Sequence, residues 1–168
     1  MSMKAPKIVE RAGFSVGGIN VRTTNAAEME LATARIPALW ERFTYESLPG
    51  HIPGQTNPGV VLGLYSDFDS DADGAYTLMA GCEVSPESNM PAGLRTKSVP
   101  PAKYAVFTSE KGEIPTIIFN AWQEIWAMTP EQLGGHRAYT GDFEVYDERA
   151  VNMNNAQIEI WISIHTSR

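Results

Sequence analysis

Tyr139-Thr-Gly-Asp-Phe-Glu144-Val-Tyr146-Asp-Glu148, followed after a polar turn by Ile158-Glu-Ile-Trp161-Ile-Ser-Ile164, decides how this chain is read. Both runs alternate, the period of a strand. In the second run Ile158, Ile160, Ile162 and Ile164 share one face, and Glu159, Trp161, Ser163 and His165 the other. In the first, Phe143 and Val145 lie opposite Asp142, Glu144 and Tyr146. The turn formers Asn152, Asn154 and Asn155 between them fit a hairpin connection. The expectation is a hairpin whose isoleucine face packs on a core and whose other face carries carboxylates beside aromatic rings.

Outward from that hairpin, the same order of elements occurs twice. Lys7–Arg22 reads as an opening strand, with Gly17-Gly18 marking a bulge or a close backbone approach. Asn25-Ala-Ala-Glu28 has the form of a capping box, with Asn25 as N-cap. A helix is expected from there to about Phe43, broken at Pro37, which suits the first turn of a second helical piece. Thr44–Gly59 is a Pro- and Gly-rich loop, and Val60–Tyr65 and Ala75–Val84 are strands. The second half supplies a strand within Leu94–Ser109, a helix over Ile114–Met128, and the closing hairpin. The predicted fold is one α+β domain of 168 residues, with pseudo-repeats at about 6–84 and 94–165. Duplicated β-α-β-β units would form an antiparallel sheet with two main helices and a pocket between the halves.

Composition excludes several functions. The formal net charge is −7 and the thirteen basic residues are scattered, which disfavours direct contact with nucleic acid. The lone cysteine, Cys82, lies in an apolar run and reads as a buried, inert thiol, and a chain with one cysteine suits a reducing, cytoplasmic setting. The opening residues lack a signal-peptide core, and no apolar run approaches membrane-spanning length. His51, His136 and His165 have no metal-ligand spacing, and neither a phosphate loop nor a nucleophile elbow is present. Asp67, Asp69, Asp71 and Asp73 alternate as in a calcium loop, but Ala72 and Leu78 stand where that loop needs Gly and Glu. No metal and no cofactor is predicted.

What remains is carboxylates and rings. Glu144 lies between Phe143 and Val145 in a strand built for burial, and a carboxylate taken out of water costs several kcal/mol unless paired. It reads either as part of a wet outer face or as a recessed anion awaiting a cation. Trp126, Trp161, Tyr65, Tyr146 and Trp40 are the candidate walls, with Glu159 and Glu83 as further acidic candidates, while Trp122 reads as ordinary core.

The ordered set Pro6–Gly18, Ile36-Pro-Ala-Leu-Trp40-Glu-Arg-Phe43, Tyr104–Gly112 with Ile114–Trp126, and Asp142-Phe-Glu144-Val-Tyr146 with Ile158-Glu-Ile-Trp161-Ile resembles the GyrI-like family, also described as the AraC effector-binding domain. It is similar to stand-alone members carried on integron gene cassettes. The resemblance implies binding of hydrophobic, often cationic, compounds, with Glu144 as the pocket glutamate and Trp126 as the pocket aromatic of the second helix. Trp161 stands where the family often has Tyr. No helix-turn-helix segment is evident, so a DNA-binding partner would be a separate protein. Three functions follow as expectations: a non-enzymatic binder of lipophilic cations, a hydrolase of reactive electrophiles with Glu144 as general base, or a ligand-sensing module for a separate regulator.

Overall fold

The structure is a computed structural model that describes residues 3–71 and 73–165. Ala72, at the sixth place of the calcium-loop pattern, lies outside the described residues. Eight strands form one antiparallel sheet: β1 (Lys7–Arg11), β2 (Phe14–Thr23), β3 (Val61–Ser66), β4 (Tyr76–Val84), β5 (Arg95–Val99), β6 (Ala102–Thr108), β7 (Asp142–Tyr146) and β8 (Glu159–Ile164). Among the described residues four α-helices accompany them: α1 (Asn25–Glu28), α2 (Ile36–Tyr45), α3 (Thr116–Trp126) and α4 (Pro130–Leu133). The fold is α+β, as the order of elements predicts.

The strand order β1-β6-β8-β7-β3-β4-β2-β5 explains the shape of the core. Only Ala12 and Gly13 join β1, at one edge, to β2 near the other edge. Only Pro100 and Pro101 join β5, at the far edge, to β6. Links this short between strands so distant in the order require the sheet to curl until its edges meet. The two corners do touch: a Cβ on Gly13 would lie 3.0 Å from the Val99 carbonyl and 3.2 Å from Pro101. Inside the curl sit Phe14, Val16, Leu62, Leu64, Met79, Val99, Tyr104, Val106 and Phe143. Outside it, α2 covers one apolar cluster with Leu39 and Phe43, and α3 covers a second with Ala121, Trp122 and Ile125. Tyr65 packs against both outer clusters, so the seam between them runs over the central pair β3–β7.

Several boundaries depart from the sequence reading, each for a local reason. Lys7–Arg22 is two strands, broken at Ala12-Gly13 and not at the paired glycines. Gly17-Gly18 continues β2 and is a close approach: a Cβ on Gly18 would lie 2.0 Å from the Ala80 carbonyl, in register with Gly81. Leu94–Ser109 is likewise two strands, divided at Pro100-Pro101, where no N–H is available for a ladder. The N-cap of α1 is Thr24, not Asn25; its side chain accepts from the Ala27 amide. Glu28 turns away from α1 and caps the second helical piece instead, accepting from the Arg35 and Ile36 amides at 2.9 and 3.1 Å. Pro37 occupies the first turn of α2, as expected. Within the Thr44–Gly59 stretch, Leu48 and Ile52 are buried in the cluster under α2. Cys82 is buried in β4, and burial pushes its thiol up to about 11, which keeps it protonated. No helix among the described residues is long and apolar enough to cross a membrane.

Candidate functional site

Register decides which side chains meet. Glu144 pairs with Gly63 on one side and with Ile160 on the other. Directly opposed residues share a face, so Glu144 lies on the isoleucine face, outside the curl and beneath the seam between α2 and α3. The expectation of separate isoleucine and carboxylate faces is therefore corrected: the anion lies in the apolar layer itself.

Glu144 is 1% exposed. Its Oε2 accepts from the Trp122 indole N–H at 2.7 Å and the Tyr65 hydroxyl at 2.8 Å; its Oε1 accepts from the Tyr146 hydroxyl at 2.5 Å. Among the described residues no basic side chain forms an ion pair with it. Burial raises its pKa above the ordinary carboxylate value, and the three hydrogen bonds pull it part of the way back. Burial and the adjacent carboxylate push the Tyr65 and Tyr146 phenols well above their ordinary value, so both remain donors.

Rings close the space around this carboxylate. Tyr65 meets Trp122 edge-on at 5.2 Å and Tyr76 at 5.5 Å, and Trp40 meets Tyr146 edge-on at 5.2 Å. Gly63 leaves room for the arrangement: a Cβ there would stand 2.9 Å from Glu144 Oε1 and 3.1 Å from Trp40 Cζ2. Gly63→Ala is accordingly expected to destabilise the protein by about 1–3 kcal/mol through overpacking. A urea-unfolding midpoint equal to that of the parent protein would show that Trp40 yields freely.

The structure brings Glu144, Tyr65, Tyr146 and Trp40 together, and leaves other sequence candidates elsewhere. Trp126, the last residue of α3, is 41% exposed and lies 6.1 Å from Trp122, at the rim. Trp161 is inside the curl, stacked on Phe143 at 5.2 Å, because it pairs with Phe143 and not with Glu144. Glu159 pairs with Arg149 at 3.2 Å and accepts from the Trp161 indole at 3.0 Å. Glu83 pairs with Arg11 at 2.7 Å. The shared-pocket expectation fails for these three residues: an antiparallel register sorts them to the opposite face, where each carboxylate already has an arginine. Trp122 and Tyr76 were missed. Trp122 adjoins the buried stripe Ile117, Ala121 and Ile125, but α3 ends at Trp126, so the later ring overhangs the seam while the earlier one enters it.

The arrangement is a curled antiparallel sheet with two outer helices and a buried, ring-enclosed glutamate between them. The chain belongs to the Cass2 family of integron-associated effector binding proteins, whose family model matches residues 7–164. The integron cassette protein VCH_CASS2, from the mobile metagenome of Vibrio cholerae, is 33% identical, with 97% of each chain covered and a TM-score of 0.77. YobU of Bacillus subtilis is 33% identical over 147 residues, 88% of this chain and 89% of YobU. SAV2435, solved bound to tetraphenylphosphonium, has the same fold at 18% identity and a TM-score of 0.75, covering 95% of this chain and 93% of that one.

Proposed function

We propose that this protein binds a lipophilic monovalent cation against Glu144, with Trp122, Tyr65, Tyr146 and Trp40 as walls and Trp126 at the rim. The observation that carries this reading is the buried carboxylate that has three neutral donors and, among the described residues, no cationic partner. An anion held in an apolar layer gains most from a counter-ion that water cannot screen. Each well-placed ring adds about 0.5–2 kcal/mol of cation–π attraction. A protein of the same fold holding tetraphenylphosphonium supports the choice of that cation as probe.

The hydrogen bonds narrow the ligand further. Three of the roughly four acceptor positions of a carboxylate are already used. A primary ammonium or guanidinium would bring N–H groups with too few acceptors to receive them, which is costly in a buried site. A phosphonium, a quaternary ammonium or a delocalised dye cation has no such need. One uncompensated charge also favours one positive charge over two. Trp40 is the wall best able to move: it is half-buried, it touches Phe43 and Tyr146 only through ring edges, and no hydrogen bond holds its indole among the described residues.

The test is a tryptophan-fluorescence titration with tetraphenylphosphonium beside neutral triphenylphosphine oxide. Saturable quenching by the cation alone is expected. Equal quenching by both compounds would end the counter-ion reading. Acidity provides a further check. Because burial raises the pKa of Glu144 and the cation requires the ionised form, affinity should be fully present above that raised pKa. It should fall as pH drops through it, approaching about tenfold per pH unit on the acid side. Binding measured across that window should release protons.

A further inference from the structure

We infer a second ligand site on the inner side of the sheet: an open cavity of about 500 Å³ that takes a small polyol bearing one anionic group, a carboxylate or a phosphate. It exists because β5 pairs with β2 only from Phe14 to Gly18, so the rest of β2 stands uncovered on that edge. Asn20 of β2, Ser66 of β3, Thr77 of β4 and Arg95 and Lys97 of β5 line the walls from the inner face. Thr96 borders the cavity from the other face of the β5 edge strand, and the β4–β5 connection from Ser88 to Leu94 completes the lining. Four strands of one sheet carry those groups, so the cavity is framed by regular structure and not by a loop alone. A volume of this size suits a small metabolite.

Charge sets the ligand class. The cavity is lined by Arg95, Lys97 and Asp67. Lys97 is matched to Asp67 at 2.7 Å, and the neighbouring Arg22 to Asp69 at 2.6 Å. Arg22 also donates to the Thr77 hydroxyl at 3.1 Å, which ties the β3–β4 turn to the cavity wall. Arg95 is exposed and, among the described residues, has no carboxylate partner. In a chain of formal charge −7, the cavity thus presents one uncompensated positive charge. A guanidinium suits carboxylate and phosphate oxygens bidentately, and the surrounding hydroxyls and amides suit a polyol body. The site is independent of the cation reading. In β3, Tyr65 is directed to Glu144 on the outer face, and Ser66, the next residue, lines the cavity on the inner face.

The experiment is an amide chemical-shift titration of the whole protein with three probes: glucose 6-phosphate, gluconate and uncharged glucose. Saturable shifts at Asn20, Thr77 and Thr96 are expected with an anionic probe and not with glucose; whichever anion saturates identifies the head group. Arg95→Glu, at an exposed position, should keep the thermal midpoint and weaken that binding at least about tenfold. Glu144→Gln should leave it unchanged. Saturation by neither anion, equal shifts with glucose, or indifference to Arg95→Glu would each overturn the proposal.

Discussion

Glu144→Gln is expected to weaken tetraphenylphosphonium binding by about a hundredfold or more while leaving the ligand-free protein at least as heat-stable as the parent at neutral pH. The first half follows from the site. Removing one partner of a buried charge pair costs about 2–5 kcal/mol, and a hundredfold change in affinity corresponds to about 2.7 kcal/mol. The second half follows from the ligand-free state, in which Glu144 is buried without a cation among the described residues. Its folded pKa is raised, so the unfolded chain ionises first as pH rises. Stability is therefore lost between the ordinary carboxylate pKa and the raised one, and stays lost above it. Glutamine never ionises and escapes that loss; its carbonyl oxygen, in the place of Oε2, still accepts from Trp122 and Tyr65, while its amide N–H donates to the Tyr146 hydroxyl. Fluorescence titration and a thermal melt, run on the same samples, test both halves. Weakened binding together with a large fall in melting temperature would mean that the carboxylate is a structural hub and not a reserved counter-ion.

How much of this could be read from the sequence depends on the physical scale of each feature. Alternation and turn residues located β3, β4, β7 and β8, because period-two patterning is local. Glu144, Tyr65 and Tyr146 were legible for the same reason: a carboxylate in a strand otherwise built for burial is conspicuous. Register is not local. Whether Trp161 stands beside Glu144 depends on which residue of β8 faces it, and a shift of one residue changes the face of every side chain. The observed pairing of Glu144 with Ile160 sent Trp161 and Glu159 to the inner side. Helix length acted likewise on Trp122 and Trp126, which are one turn apart and equivalent by periodicity until the end of α3 separates them. The curl of the sheet arises from two two-residue links joining strands far apart in the order, which no window of sequence displays.

Arg137→Leu is expected to destabilise the fold by about 3–5 kcal/mol, the loss typical when one partner of a buried ion pair is removed. Asp142, two residues before Glu144 in β7, is fully buried and accepts from the Arg137 guanidinium at 2.6 Å. Its other oxygen accepts from the backbone amide and hydroxyl of Ser163 at 2.7 and 2.8 Å. Arg137 is itself 12% exposed, with its guanidinium 4.4 Å from the centre of the Tyr139 ring. One short strand thus holds two buried carboxylates of opposite kinds: Asp142 with a built-in cation, Glu144 with neutral donors only. Leucine at position 137 would give Asp142 the condition of Glu144, an anion with no counter-ion among the described residues, and would leave Tyr139 and Trp122 facing an apolar side chain in place of a cation. Asp142→Asn in the Arg137→Leu background should recover much of the loss, since no charge would then be stranded. Urea unfolding of the parent, the single variant and the double variant decides the matter. A single-variant loss below about 1 kcal/mol would class the pair with solvated surface ion pairs. It would also remove the contrast that supports the proposed counter-ion role of Glu144.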